Sequence, residues 1–424
     1  MRSGRNKLIL CLFLLLFFLV DTALADRILI YMDLAQTDHL KAYGVAYWTL
    51  EQGQDVEWLL NYRGGSFMAG YNPAIVKLCK RRGVSYSIIS NVEAASIYAE
   101  IEEGNMNNIL LEKAPKIAIY TPPNKEPWDD AVTLALTYAE IPYETLWDKE
   151  VLQGKLHNYD WLHCHHEDFT GQFGKFYGSY RNAIWYQQEV ATNQKMAQEL
   201  GFAKVSELKK AVARAIKQYV HDGGFIFMMC AATDTYDIGL AAEDADIVDV
   251  PFDGDPPDPD YQEKLDYSKS FAFKDFKLIT NPYVYEFSDI DCTPSLPWER
   301  PDNIAYFTLF DFSAKFDPVP TMLVQDHVNV VKDFLGQTTA FKKDLIKRNV
   351  VILGEFEGAG VVKYLHGNYG RGTFTYLGGH DPEDYQHFVG DPPTDLSLFK
   401  NSPGYRLILN NVLFPAAKKK KLKT

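Results

Sequence analysis

Short apolar runs closed by polar turns alternate along this chain with stretches of helical spacing. Arg27-Ile28-Leu29-Ile30-Tyr31-Met32 has the pattern of a buried strand. In His39 to Gln52, Leu40, Tyr43, Ala46, Tyr47 and Leu50 share one helical face. Asp55 to Leu60 predicts a strand, Pro73 to Arg82 a helix, Ser85 to Ile89 a strand, and a further helix follows Asn91. A second run begins after Pro115. It has strands at Lys116–Thr121, Tyr143–Trp147 and Tyr159–His165 and helices at Trp128–Glu140, Tyr186–Leu200 and Val205–His221. The strand that ends at Met229 comes next, and Val350 to Leu353 resumes the sheet. Val361–Leu365 and Thr373–Leu377 read as an antiparallel hairpin, and Pro403 to Leu413 as a closing helix that starts with Pro.

Strands that alternate with helices predict α/β architecture with parallel sheets. The expected organisation is a smaller N-terminal α/β domain over 26–112 and a larger parallel-sheet domain over 113–415. Insertions fall at about 166–204 and 251–345, and a basic tail occupies 416–424.

Residues 1–25 read as an export signal: Arg2, Arg5 and Lys7, an apolar stretch from Leu8 to Val20, then Ala23-Leu24-Ala25. That stretch is too short to span a bilayer comfortably, and no second long apolar run follows. The expectation is an exported protein, periplasmic or secreted, with no transmembrane span. The formal charge of −13 argues against a nucleic-acid partner. The run Lys418 to Lys421 reads as a solvated tail. Cys79, Cys164, Cys230 and Cys292 remain after the leader; they could pair in three ways, but their wide spacing implies no disulfide framework.

Two strand ends carry candidate chemistry. After the glycine turn Gly370-Arg371-Gly372, the strand Thr373 to Leu377 runs through Gly378-Gly379 to His380, with Asp381, Glu383 and Asp384 close behind. The strand Gly223 to Met229 ends on Cys230. Ligands in α/β folds bind beyond the carboxyl ends of the strands, so Cys230 and His380 would be a nucleophile and its base, or two buried residues. A third cluster is His163-Cys164-His165-His166-Glu167-Asp168. His163 and His165 share one strand face there and would hold a transition metal or line a cleft, with His166 and Glu167 beside them. Asp33, Thr37, Asp38 and His39 follow the first strand, where Asp38 or Thr37 would close the cleft or cap the next helix. Arg63, in the turn Asn61 to Ser66, would take a carboxylate or phosphate, or face solvent. The Asp/Pro-rich loop Pro251 to Asp260 reads as an exposed acidic insertion, with calcium as the alternative. Trp48, Trp58, Trp128, Trp161, Trp185 and Trp298 would suit stacking on a glycan or, more simply, core packing.

The run Gly370 to His380 with Asp381-Pro382-Glu383-Asp384, and the closing helix Pro403 to Asn411, resemble the class I glutamine amidotransferase-like superfamily, in particular its ThuA-like branch. The resemblance covers about 116–415. It implies a flavodoxin-like sheet and a cysteine nucleophile on a sharp strand-to-helix turn, here Cys230. His380 would be the base and Glu383 the carboxylate that orients it, with Asp381 as substitute. Met228 and Ala232 stand where the family prefers glycine, and one extra residue separates His380 from Pro382-Glu383. Asparagine synthetase chemistry does not fit: neither an N-terminal cysteine nor a Ser-Gly-Gly-x-Asp-Ser loop is present. The leading expectation is a cysteine-dependent amide or ester hydrolase. Its catalytic residues would be Cys230, His380 and Glu383, with His163, His165, His166, Glu167, Asp381, Asp38 and Arg63 around a small-molecule or glycan-type ligand. The alternatives are a non-catalytic binding or scaffold protein, and a metal-assisted hydrolase at His163 and His165. The sequence names neither a cofactor nor a partner protein.

Overall fold

The computed structural model describes residues 26–123, 130–292, 305–317, 324–386, 388 and 390–417. Residues 1–25, where an export signal was expected, residues 418–424 of the expected basic tail, Trp128 and Trp298 lie outside them.

Among the described residues, the N-terminal sheet has strands β1 (Arg27–Ile30), β2 (Val56–Leu60), β3 (Ser66–Gly70), β4 (Tyr86–Ile89) and β5 (Asn107–Leu111), in the order β4-β1-β3-β2-β5. Every neighbouring pair is antiparallel, so the parallel sheet expected here is corrected. The cause is β3, which the sequence pattern did not reveal. Gly64 (φ +74°) and Gly65 (φ +87°) turn the chain back within a few residues of β2, and a connection that short can only join antiparallel strands. Trp58 then lies opposite Phe67. Alternation sends Ile28, Ile30, Trp58 and Phe67 to one face, under the helix His39–Glu51. Leu29, Leu59 and Met68 go to the other, under the helix Asn91–Glu103.

The large sheet contains β6 (Ile117–Tyr120), β7 (Glu144–Leu146), β8 (Trp161–Cys164), β9 (Phe225–Met229), β10 (Tyr306–Leu309), β11 (Val330–Lys332), β12 (Phe341–Lys342), β13 (Val351–Phe356), β14 (Val361–Tyr369) and β15 (Gly372–Leu377). Its order is β11-β10-β13-β14-β15-β9-β8-β6-β7, and β12 pairs with β14. The run from β7 to β15 is parallel, as expected. The remainder is antiparallel, because the β14–β15 hairpin reverses the chain and the segment 251–345 supplies three strands beyond it. The protein is therefore α/β with one mixed sheet and one smaller antiparallel sheet. The carboxyl ends of β6, β8, β9 and β15 form one rim, where both histidine segments and Cys230 emerge.

No helix among the described residues is long and apolar enough to cross a membrane. Cys79, Cys164 and Cys230 are free thiols, and all four described cysteines are buried. Trp58 and Trp161 are core residues, not sugar platforms.

Candidate active site

β8 lies between β6 and β9, with His163 in register with Ile119 and Phe227. The His163 Nδ1–H donates to the Phe227 carbonyl at 2.8 Å, which turns Nε2 toward Asp130. Nε2 is 3.2 Å from His165 Nδ1, and both nitrogens are 3.4 Å from Asp130 Oδ1. Asp130 is held by its own helix: Oδ1 caps Ala131–Ala139, accepting from the Val132 and Thr133 amides at 2.7 and 3.2 Å. Burial alone would raise this carboxyl. The His163 and His165 imidazoles outweigh burial and hold it well below the usual carboxylate range.

His380 arrives from the other side of His165. The two rings meet edge to face with centroids 4.5 Å apart, and His166 stacks on His380 at 6.0 Å. Asp130, His163 and His165 offer donor atoms within 4.8 Å of one another, and so do His165, His166 and His380. The sharp exit from β15 uses Gly379 at φ +88°. The His380 amide donates to the Leu335 carbonyl at 2.8 Å, and the Gly379 amide to Thr338. Gly336 makes this contact possible, since a Cβ there would sit 2.8 Å from the Gly379 carbonyl carbon and the His380 nitrogen.

The expected Cys230–His380–Glu383 trio does not assemble. Cys230 does sit on a strand-to-helix turn at φ +50°, between β9 and the helix Ala232–Ala241. Yet the residue is only 2 % exposed, and its sulfur accepts from the Gln337 amide at 3.2 Å rather than bonding to His380. Burial pushes the thiol up to about 11, against the pull of the Thr338, Gln337 and Ala231 amides. The segment Leu335 to Thr338, inside the insertion expected at about 251–345, covers the sulfur. Glu383 is raised by burial and engages Ser402, and Asp381 accepts the Glu383 amide at 2.9 Å.

Of the expected binding residues, His163, His165, His166 and Glu167 converge. Glu167 Oε2 accepts the His165 amide at 2.6 Å; burial and then the Asp130 charge push its carboxyl up to about 8. Asp38 instead caps the helix His39–Glu51, accepting from the Lys41 amide at 2.9 Å and the Tyr138 hydroxyl at 2.7 Å. Arg63 pairs with Asp33 at 2.6 Å and covers the Tyr31 ring at 3.8 Å. Neither contacts the histidines. In the acidic loop, the Lys204 ammonium lies 2.6, 3.1 and 2.6 Å from Asp246, Asp253 and Asp255, filling the place calcium was given as an alternative. Asp130 was not anticipated at all. Its one local signal was that of a helix cap, an aspartate directly before Ala131-Val132.

No family model matches the chain, and no curated protein matches it. Solved structures align distantly. Two cytoplasmic proteins from Salmonella typhimurium, the second from strain LT2, are 10 % and 11 % identical, with TM-scores of 0.34 and 0.36. Each alignment covers 72 % of this chain and 100 % of the other. A beta-galactosidase from Bacillus circulans sp. alkalophilus is 8 % identical, with a TM-score of 0.25. Its alignment covers 63 % of this chain and 29 % of the enzyme. At these scores the alignments carry no argument about activity.

Proposed function

We propose that this protein is a metal-assisted hydrolase whose ion is held by Asp130, His163 and His165. One observation carries the reading: the three donor atoms form a triangle with sides of 3.2, 3.4 and 3.4 Å. Donors placed tetrahedrally at roughly 2.0–2.1 Å from a zinc-like ion lie about 3.3–3.4 Å apart. The set of two imidazoles and a carboxylate suits such an ion and leaves a fourth position open. His163 also has the outer partner expected of a ligand, since its other ring N–H is fixed by a backbone carbonyl. A bound ion would lower the pKa of a coordinated water and polarise a carbonyl or phosphoryl oxygen. In this reading His166 and His380, whose rings lie beside His165, would exchange protons with the reacting groups.

Metal analysis and calorimetry test this. The purified full chain should bind zinc or a similar ion at about one equivalent with at least micromolar affinity. His163→Ala and Asp130→Asn should each lose about tenfold or more of that affinity. Absence of metal binding, or binding unaffected by both substitutions, would leave the trio as a hydrogen-bonded Asp–His–His relay and remove the hydrolase reading.

The amidotransferase-like resemblance enters as a second proposal, about architecture. It is supported by the parallel run β7-β6-β8-β9-β15 and by the positive φ of Cys230 between strand and helix. The cysteine-nucleophile chemistry attached to that resemblance is disfavoured by the sealed sulfur. The non-catalytic reading becomes the conclusion if the ion test fails.

A further inference from the structure

Next to the histidines is a cavity of about 40 Å³ bordered by Trp147, His166, Glu167, Phe173, Glu189 and Lys209. That volume holds a small polar head group or a few waters, not a ring. Its charges are not equally available. The Lys209 ammonium is bound by both oxygens of the buried Asp148, at 3.0 and 2.9 Å. Asp168, also on the wall, accepts from the Thr170 amide and hydroxyl and from the Gln172 and Gly174 amides. Glu189, projecting from the helix Ile184–Glu199, differs. Its Oε2 is shut off from solvent and has no hydrogen-bond partner among the described residues. Burial first and the Asp168 charge second push its carboxyl up to about 7. A sealed carboxyl oxygen without a donor is costly, and a donor cation supplied from outside would relieve that cost.

We propose that this cavity is the subsite for a substrate's ammonium group, with Glu189 as its anionic partner and Trp147 and Phe173 as its walls. The Trp147 ring is already faced by the Lys209 ammonium at 5.2 Å, so recognition of an added amine falls to the Glu189 carboxylate with Phe173 beside it. His166 and Glu167 border the cavity and adjoin His165, so an amine seated there leaves the rest of its molecule beside the Asp130–His163–His165 triangle. The substrate class is therefore an amine-bearing ester, amide or phosphoester. This inference rests on the metal-assisted reading for the bond cleaved, but not for the amine's binding.

The probe is methylammonium chloride, titrated into the full chain at neutral pH against sodium chloride of equal ionic strength, with thermal unfolding and calorimetry as readouts. Saturable stabilisation by methylammonium alone is expected. Glu189→Gln should weaken methylammonium binding about tenfold or more while leaving metal content unchanged. Asn193→Leu, which fills the same cavity from a residue that lines it, should abolish the response and carries the test if Glu189→Gln does not fold. Equal responses to both salts, or undiminished binding in the folded variants, overturns the subsite while the ion site stands. Amine binding to a chain that takes up no metal would keep the subsite and sink the hydrolase instead.

Discussion

His163 is constrained at both ring nitrogens, and the constraint comes from its neighbours in the sheet. The Phe227 carbonyl takes one N–H, so the tautomer that faces Asp130 is set by β9. Cys230 shows the opposite situation: the right backbone turn, but a sulfur buried and occupied. With the thiol pushed up to about 11, the reactive thiolate is scarce at neutral pH and grows only as pH rises toward that value. Iodoacetamide should therefore alkylate Cys230 slowly at pH 7.5, and faster by about tenfold per pH unit up to about 11. Mass spectrometry of the labelled peptide reads this. Fast labelling at neutral pH would restore the nucleophile reading. At this scale the sequence displayed the histidines plainly, because a strand end with three of them is conspicuous. It hid Asp130, whose local signature is that of any helix cap, and it could not show that Gln337 would occupy the sulfur of a residue more than one hundred positions earlier.

At the scale of elements, the site depends on loops from distant parts of the chain closing over the parallel strands. Leu335 to Thr338 lies on Gly378 to His380 with almost no clearance, and Gly336 is the point of closest approach. All three atoms that its Cβ would strike belong to backbone and cannot rotate aside. Gly336→Ala should destabilise the protein by roughly 1–3 kcal/mol through overpacking, read as a lowered urea midpoint. A neutral result would show that this loop is not tightly seated. Most helices and central strands were legible from periodicity, including Val205–His221 and β15. Strand direction was not, since an apolar run looks the same in either orientation. β3, Ser66–Gly70, lacked the alternation that marks a half-buried strand, because four of its five residues are buried. Its omission inverted the predicted character of the whole N-terminal sheet.

For the whole molecule, the two sheets share one hydrophobic core, in which the helices His39–Glu51, Ala131–Ala139 and Pro403–Leu413 meet. Arg406, fully buried, ties the parts together. Its guanidinium donates to the Met32 carbonyl after β1 at 3.2 Å and to the Gly64 carbonyl after β2 at 2.7 Å. It also reaches His327 at 2.5 Å and Asp326 at 3.3 Å, both in the long insertion. His327 in turn stacks on His39 at 4.5 Å. Arg406→Ala leaves Asp326 as a buried charge without its guanidinium and should cost roughly 3–5 kcal/mol, measured by chemical denaturation. Arg406→Lys should restore little, since a single ammonium cannot serve four acceptors spread around a planar fork. A loss below about 1 kcal/mol would mean that Arg406 does not join the sheets.

The acidic insertion illustrates a different kind of self-sufficiency. With Lys204 lodged among Asp246, Asp253 and Asp255, the loop brings its counter-charge along in the polypeptide. The cluster is held by charges within the polypeptide, and since Asp255 is more than half exposed, added salt should loosen that contact first.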